Sequence, residues 1–171
     1  LMLHIDYSQI NVVPLYAMVG TMGSHHHKKE ASDAAAFCRV RGLRLTKPRG
    51  QVLAILTRAR KPLGAYDIIA RMPAGTKPPT VYRALEFLLA AGLVHRIESL
   101  AAYVSCHCHA DHAHDGAQFL ICDGCGAVEE LHVHTLDPSV KRALKGEGFR
   151  PRSWKMEIHG ACASCASKAD I

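Results

Sequence analysis

The sequence predicts an α+β protein, in which a winged helix-turn-helix domain precedes a small α/β domain. Helical periodicity up to about residue 91 gives way to two short alternating strands. The first part of the chain is strongly basic and the second is slightly acidic. The second part also holds two C-x-x-C pairs. We place a poorly ordered leader, or an artefact of the recorded start site, at 1–32. The first domain then spans 33–105 and the second 106–171.

The first part begins with three helices. Ser32 or Asp33 is expected to cap a helix that Gly42 ends. Thr46 is expected to cap a second helix, and a third covers 65–72. The second helix has an apolar face at helical spacing, made of Val52, Ile55, Leu56 and Ala59. These elements pack together as the body of the first domain.

A fourth helix over 78–91 and a hairpin complete this domain. The inward face of the helix consists of Val81, Leu85, Leu88 and Leu89. Strands are expected at 93–97 and 101–104. Helices followed by a small hairpin are typical of a winged helix-turn-helix, whose last helix before the hairpin enters the DNA major groove.

Charge favours nucleic acid as the ligand of this domain. Residues 33–105 hold 12 lysines and arginines against 4 acidic residues. Tyr82 and Arg83 lie in the first turns of the fourth helix, and Thr80 also points away from its inward face. Lys77 and Arg49 are positioned to contact phosphates. In the alternative interpretation this is a solvated surface on which Arg83 pairs with Glu86.

The second part is rich in metal ligands. It opens with a loop over 106–117, where cysteine and histidine alternate densely. Strands are expected at 118–122, 126–131 and 153–159, with a helix over 137–145 between the last two. The loop lies between the two domains and is interpreted as a hinge.

Two C-x-x-C pairs, separated by 36 residues, predict a structural zinc site. The pairs are Cys122 with Cys125 and Cys162 with Cys165. Four thiolates suit tetrahedral Zn²⁺ and leave no open position for catalysis. A redox motif fits less well because it needs a single pair at a helix start, and disulfides are rare in the cytosol.

A second metal site is predicted from the remaining ligands. His95 lies on the first hairpin strand, Cys106 follows the second, and Glu130 lies on a strand after the first C-x-x-C pair. With a loop histidine, this mixed set suits Zn²⁺, and the thiolate argues against iron. The alternative is a solvated loop beside a buried free cysteine.

Composition excludes several classes of protein. No apolar run approaches the roughly 20 residues that span a bilayer, so a cytoplasmic protein without a membrane partner is expected. No H-E-x-x-H or comparable motif supports a zinc hydrolase, so neither an enzyme nor a small-molecule substrate is expected. A zinc-storage protein remains as an alternative from another class.

The sequence resembles the ferric uptake regulator family, most closely its zinc-sensing branch. The resemblance runs from about residue 33 to 165 and rests on segments at 44–49, 65–67, 77–88, 92–99, 121–128 and 159–165. It implies a homodimeric repressor, with a winged-helix domain that binds double-stranded operator DNA and a dimerisation domain. Thr46-Lys47-Pro48-Arg49 departs from the usual Thr-Pro-Gln-Arg of the family.

The resemblance also implies roles for individual residues. The structural zinc falls on the four C-x-x-C cysteines. The regulatory zinc falls on His95, Cys106, Glu130 and one loop histidine, His114 or alternatively His112, which makes two Zn²⁺ per subunit. Tyr82 and Arg83 correspond to the residues of the family that contact DNA bases. Zinc would then promote repression of zinc-uptake genes. An iron- or peroxide-sensing member of the same family is the alternative.

Overall fold

The computed structural model describes residues 34–106, 116–131 and 136–169. We refer to 34–106 as the N-terminal half and to 116–169 as the C-terminal half. Each half contains one three-stranded sheet. The predicted α+β class is confirmed. The leader at 1–32 and most of the His-rich loop lie outside the described residues.

The N-terminal half is mainly helical. Its elements are α1 over 34–40, α2 Lys47–Arg58, β1 Leu63–Gly64, α3 Ala65–Arg71, α4 Pro78–Ala90, β2 Val94–Ile97 and β3 Ala102–Ser105. The backbone of Thr46 is extended at the start of α2, but its side chain makes no capping hydrogen bond. A proline in the first turn of α2 and of α4 fixes φ at a helical value where no hydrogen-bond donor is needed. Gly42 ends the first helix with a positive φ of 66°, as predicted.

The helices of this half enclose one apolar core. Val52 and Leu56 of α2 meet Val81 and Leu88 of α4, and all four are nearly inaccessible to water. The helical spacing of these residues in the sequence places them on the inward faces. The opposite face of α4 therefore remains open to solvent.

The sheet of the N-terminal half has one strand more than the predicted hairpin. The sheet order is β1-β3-β2, because Leu63–Gly64 pairs with β3. Two residues are too few to show a period of two, so the sequence pattern did not reveal β1. Beyond β3, the Cys106 N–H donates to the Leu93 carbonyl at 3.0 Å and extends the ladder.

The C-terminal half is built on the sheet β5-β4-β6. Its elements are β4 Gly116–Cys122, β5 Val128–Leu131, α5 Pro138–Gly146, β6 Trp154–Gly160 and α6 Ala163–Ala169. β4 pairs antiparallel with β5 and parallel with β6, and α5 lies in the crossover that a parallel pair requires. α6 was not predicted from the sequence.

The C-terminal half has a small core of its own. Ala117, Phe119 and Ile121 are buried on one face of β4, and Ile97 of the N-terminal half joins them. No residue of α5 is buried among the described residues. Within the described chain, no helix has both the length and the apolar character needed to cross a membrane.

Candidate functional site

Four cysteines converge where β4 and β6 end. Cys122 ends β4, and the turn that follows it is closed by Gly126, whose N–H donates to the Cys122 carbonyl at 2.8 Å. The Asp123 N–H donates to the carbonyl of Gly160, which ties this turn to the end of β6. The four sulfur atoms, of Cys122, Cys125, Cys162 and Cys165, lie within 4.8 Å of one another.

Hydrogen bonds from backbone N–H groups and from one hydroxyl favour the thiolate form at two positions of this cluster. Hydrogen bonds from the N–H groups of Cys162 and Cys125 lower the pKa of Cys122 to about 6. The Ser164 hydroxyl and the Cys165 N–H lower the pKa of Cys162. Hydrogen bonds with the sulfur atoms of Cys162, Cys122 and Cys125 raise the pKa of Cys165 to about 12, because they favour its protonated form.

The geometry of the cluster fits a tetrahedral Zn²⁺ ion. Four sulfur donors converge on one point, and a divalent cation would offset the repulsion between thiolates. A side chain on Gly124 would place its Cβ 3.1 Å from the Cys165 sulfur, so this position has room only for glycine unless the cluster shifts. None of these four cysteines forms a disulfide.

A second cluster joins the two halves of the chain. Nε2 of His95 lies 3.1 Å from Oε1 of Glu130, and the Cys106 sulfur lies 4.0 Å from the same oxygen. One nitrogen, one sulfur and one oxygen donor lie within 4.8 Å of one another. Cys106 is fully buried and His95 is 8% exposed. We name this group the interdomain cluster.

Strand pairing explains why these three residues meet. His95 pairs with Val104 on the hairpin, and Cys106 continues the ladder two residues further, so both share one face. Glu130 pairs with Phe119 of β4, and the Phe119 ring packs edge-on against the His95 ring at 5.3 Å between centroids. The C-terminal sheet therefore presents Glu130 directly to the hairpin.

The donor set of the interdomain cluster suits Zn²⁺. Imidazole, thiolate and carboxylate are all zinc ligands. The two candidate loop ligands, His114 and His112, lie outside the described residues. The three described donors fit three ligand positions of a zinc site.

The exposed face of α4 carries the residues predicted to contact DNA. Tyr82 and Arg83 are exposed, Lys77 is exposed at the start of the helix, and Thr80 is half-buried. No ion pair joins Arg83 to Glu86, both of which the structure describes. No contact in the described residues therefore supports the alternative interpretation, in which Arg83 pairs with Glu86.

Arg49 packs against α4, a contact that the sequence pattern did not predict. Its guanidinium lies 3.5 Å from the centre of the Phe87 ring on α4 and donates to the Arg44 carbonyl at 2.6 Å. The group is half-buried between α2 and α4. Its contact with phosphate stays a prediction.

No sequence pattern singled out Glu157. This residue of β6 accepts hydrogen bonds from the N–H groups of Glu98 and Ser99, in the turn between β2 and β3. A glutamate on an alternating strand is usually a solvated side chain, and only the three-dimensional structure brings it to a turn 58 residues away.

Comparison with known proteins identifies the family of the chain. The sequence model of the ferric uptake regulator family matches residues 40–159. The zinc uptake regulation protein of Escherichia coli K12 is 39% identical over 137 residues, which cover 78% of this chain and 80% of that protein.

Two solved structures are similar over most of their length. A holo XcZur structure is 40% identical, has a TM-score of 0.74 and is matched over 81% of this chain and 98% of its own. A zinc uptake regulator complexed with zinc and DNA is 35% identical and has a TM-score of 0.79. That match covers 85% of this chain and 99% of the regulator.

Proposed function

The chain belongs to the ferric uptake regulator family, and from that premise we propose that it is a zinc-responsive transcriptional repressor. It binds operator DNA as a zinc-loaded dimer and represses zinc-uptake genes. The observation that carries the proposal is the interdomain cluster, in which a buried thiol accompanies a histidine and a carboxylate from different halves of the chain.

In this proposal each subunit holds two zinc ions with different tasks. The Cys122, Cys125, Cys162 and Cys165 site is structural, since its four thiolates fill the coordination sphere. The regulatory site uses the interdomain cluster and His114, with His112 as the alternative. The thiolate of Cys106 favours zinc over iron, because iron sites built from nitrogen and oxygen donors lack such a soft ligand.

The DNA interface of the proposed repressor is the exposed face of α4. Arg83 and Tyr82 read base edges in the major groove, while Thr80 lies beside them. Lys77 and Arg49 contact phosphates and position the helix without reading sequence. One structural relative in this family is a zinc uptake regulator complexed with zinc and DNA, which supports this assignment.

Apolar surface on the C-terminal half supports a homodimer. Val140, Phe149, Met156 and Ile158 are between 36% and 60% exposed. β6 forms an edge of the described sheet, so its outer hydrogen-bonding groups are available to a second copy. Two copies would place two reading helices on a two-fold symmetric operator.

Linkage between metal and DNA gives the mechanism. Bound zinc would tie the hairpin to the C-terminal sheet, because it would take ligands from both. His95 then holds the N-terminal half and Glu130 the C-terminal half in one relative orientation. If only that orientation fits both half-sites, zinc and DNA each raise the affinity of the protein for the other, by about 5- to 150-fold.

The test is DNA binding across a series of buffered free-zinc concentrations. The probe is a promoter of a zinc-transporter gene, compared with scrambled DNA of equal length. We expect wild-type protein to bind the promoter only with zinc, and Cys106→Ser to lose this response while retaining one zinc per subunit. Better activation by ferrous iron would instead favour the iron-sensing alternative. Absence of DNA binding at every zinc concentration would favour zinc storage.

A further inference from the structure

Glu157 connects the two halves at a point separate from the interdomain cluster. Its Oε1 accepts from the Glu98 N–H at 2.7 Å, and its Oε2 accepts from the Ser99 N–H at 3.1 Å. Both donors belong to the turn between β2 and β3, which we name the wing turn, residues 98–101. A carboxylate that accepts two backbone N–H groups forms stronger hydrogen bonds than a neutral acceptor does.

The charge state of Glu157 is consistent with this contact. Burial alone would raise the pKa of its carboxyl, but hydrogen bonds from Ser99 and Glu98 and the nearby His159 lower it overall. The side chain is therefore ionised at neutral pH. The flanking pair between Lys155 and Glu98, at 3.5 Å, is about half exposed on both sides and contributes little by comparison.

Glu157 and Glu130 occupy the same rung of the C-terminal sheet. Phe119 pairs with Glu130 on one side and with Glu157 on the other. Residues paired in register point to the same face, and strand spacing separates the two glutamates by about 10 Å. Along this rung Glu130 contacts His95, Phe119 packs on the His95 ring, and Glu157 holds the wing turn.

We propose that Glu157 is a positioning residue that docks the wing turn in the same orientation that zinc stabilises, and so sets the zinc concentration at which the protein responds. The part of this inference that concerns DNA rests on the proposed function. The contact involves no metal ligand, since the groups that Glu157 holds are backbone amides of Glu98 and Ser99.

The consequence follows from population shift. A contact made only in the docked orientation raises the fraction of protein already in that orientation before zinc binds. Apparent zinc affinity is proportional to that fraction when the docked form is the minor one. Removal of the contact therefore raises the zinc requirement, and sufficient zinc still restores the docked form. A purely structural role would instead lower thermal stability and leave the zinc requirement unchanged.

The experiment compares wild-type dimer with Glu157→Ala, Glu157→Gln and the control Glu129→Ala. Glu129 is exposed on β5, and its side chain makes no hydrogen bond or ion pair in the part of the chain that the structure describes. The midpoint of regulatory zinc binding is measured by competition with a chelator, and the midpoint of operator binding in buffered zinc. We expect Glu157→Ala to raise both midpoints about 10-fold. Glu157→Gln, which keeps one acceptor oxygen, should give a smaller rise, and Glu129→Ala none.

Hydrogen exchange of the zinc-loaded dimer provides a second readout without DNA. The amides of Glu98 and Ser99 should exchange at least several-fold faster in Glu157→Ala than in wild type. Unchanged exchange together with unchanged zinc midpoints would overturn the role of Glu157. If the chelator midpoint shifts but wild-type protein binds no operator, the proposed function fails and the positioning role stands.

Discussion

Arg83 is the residue on which the proposed reading of DNA most depends. It is exposed near the start of α4, and no ion pair within the described residues engages its guanidinium. A free guanidinium in this position can contact O6 and N7 of one guanine in the major groove. The sequence led to this residue because the inward face of α4 follows a clear helical period, which leaves Arg83 on the outside.

Arg83→Ala should therefore weaken operator binding by about 1–3 kcal/mol and relax the base preference at one position. Lys77→Ala should weaken operator and random DNA alike and reduce the salt dependence, since a phosphate contact carries no sequence information. Titrations of both variants on operator and scrambled DNA at several salt concentrations measure the difference. An unchanged operator preference in Arg83→Ala would show that another element reads the sequence.

Glu130 and Glu129 are neighbours with opposite environments. Glu130 lies 3.1 Å from the His95 imidazole, whereas Glu129 is exposed on the other face of β5. We expect Glu130→Gln to raise the zinc midpoint at the regulatory site by about 100-fold or more. Even changes to groups that only hydrogen-bond a metal ligand cost 10- to 100-fold in metal affinity.

Glu129→Gln provides the matched control, because it removes the same charge one residue away. It should leave the zinc midpoint unchanged, and both variants should retain the dimer and one zinc per subunit. Isothermal titration with a zinc buffer measures the midpoints. Equal zinc responses in the two variants would mean that Glu130 is not a ligand.

At the scale of elements, the turn after β4 and the start of α6 bring the four cysteines of the C-terminal half together. The buried residues that β4 contributes to the small core of this half are few, chiefly Phe119, Ile121 and Ala117. Such a core supplies little of the free energy of folding, so a zinc ion that connects Cys122 with Cys162 would supply much of the rest. Each thiolate ligand is then required for this half to fold.

Cys122→Ser or Cys162→Ser is accordingly expected to unfold the C-terminal half and abolish the dimer. Structural zinc in small domains contributes about 10–16 kcal/mol of apparent binding free energy. Cys38→Ala is the control, since Cys38 is a buried free cysteine in the N-terminal core. Sedimentation velocity, circular dichroism and zinc content measure the outcome. A zinc-loaded dimer in either serine variant would contradict a structural role for this site.

The elements also show what a sequence can and cannot reveal. α2 and α4 were predictable because each repeats an apolar residue every three or four positions. The four-cysteine zinc site was predictable because C-x-x-C spacing is typical of zinc ligands. β1 has only two residues, and α6 has seven small or polar residues, which are too few to show an apolar period. Glu157 was not predictable, since its contact depends on the parallel pairing of β4 with β6.

At the scale of the whole molecule, several large apolar side chains of the C-terminal half are exposed to solvent. α5 buries none of its described residues, and Val140 and Phe149 remain 39% and 60% exposed. Met156 and Ile158 add to this surface from β6, at the edge of the described sheet. Exposed apolar side chains next to an open strand edge are typical of an interface with another chain.

A charge at Ile158 should separate the proposed dimer without unfolding the monomer. Ile158 is 42% exposed, so a carboxylate there remains hydrated in the monomer but loses its water when a second copy covers it. Val40 is 88% exposed on the N-terminal half, and Val40→Glu is the matched control. Sedimentation velocity should show Ile158→Glu as a monomer and Val40→Glu as a dimer. Loss of one half-site contact should also reduce operator affinity in Ile158→Glu, while the structural zinc stays bound. A stable dimer in this variant would place the interface on another surface.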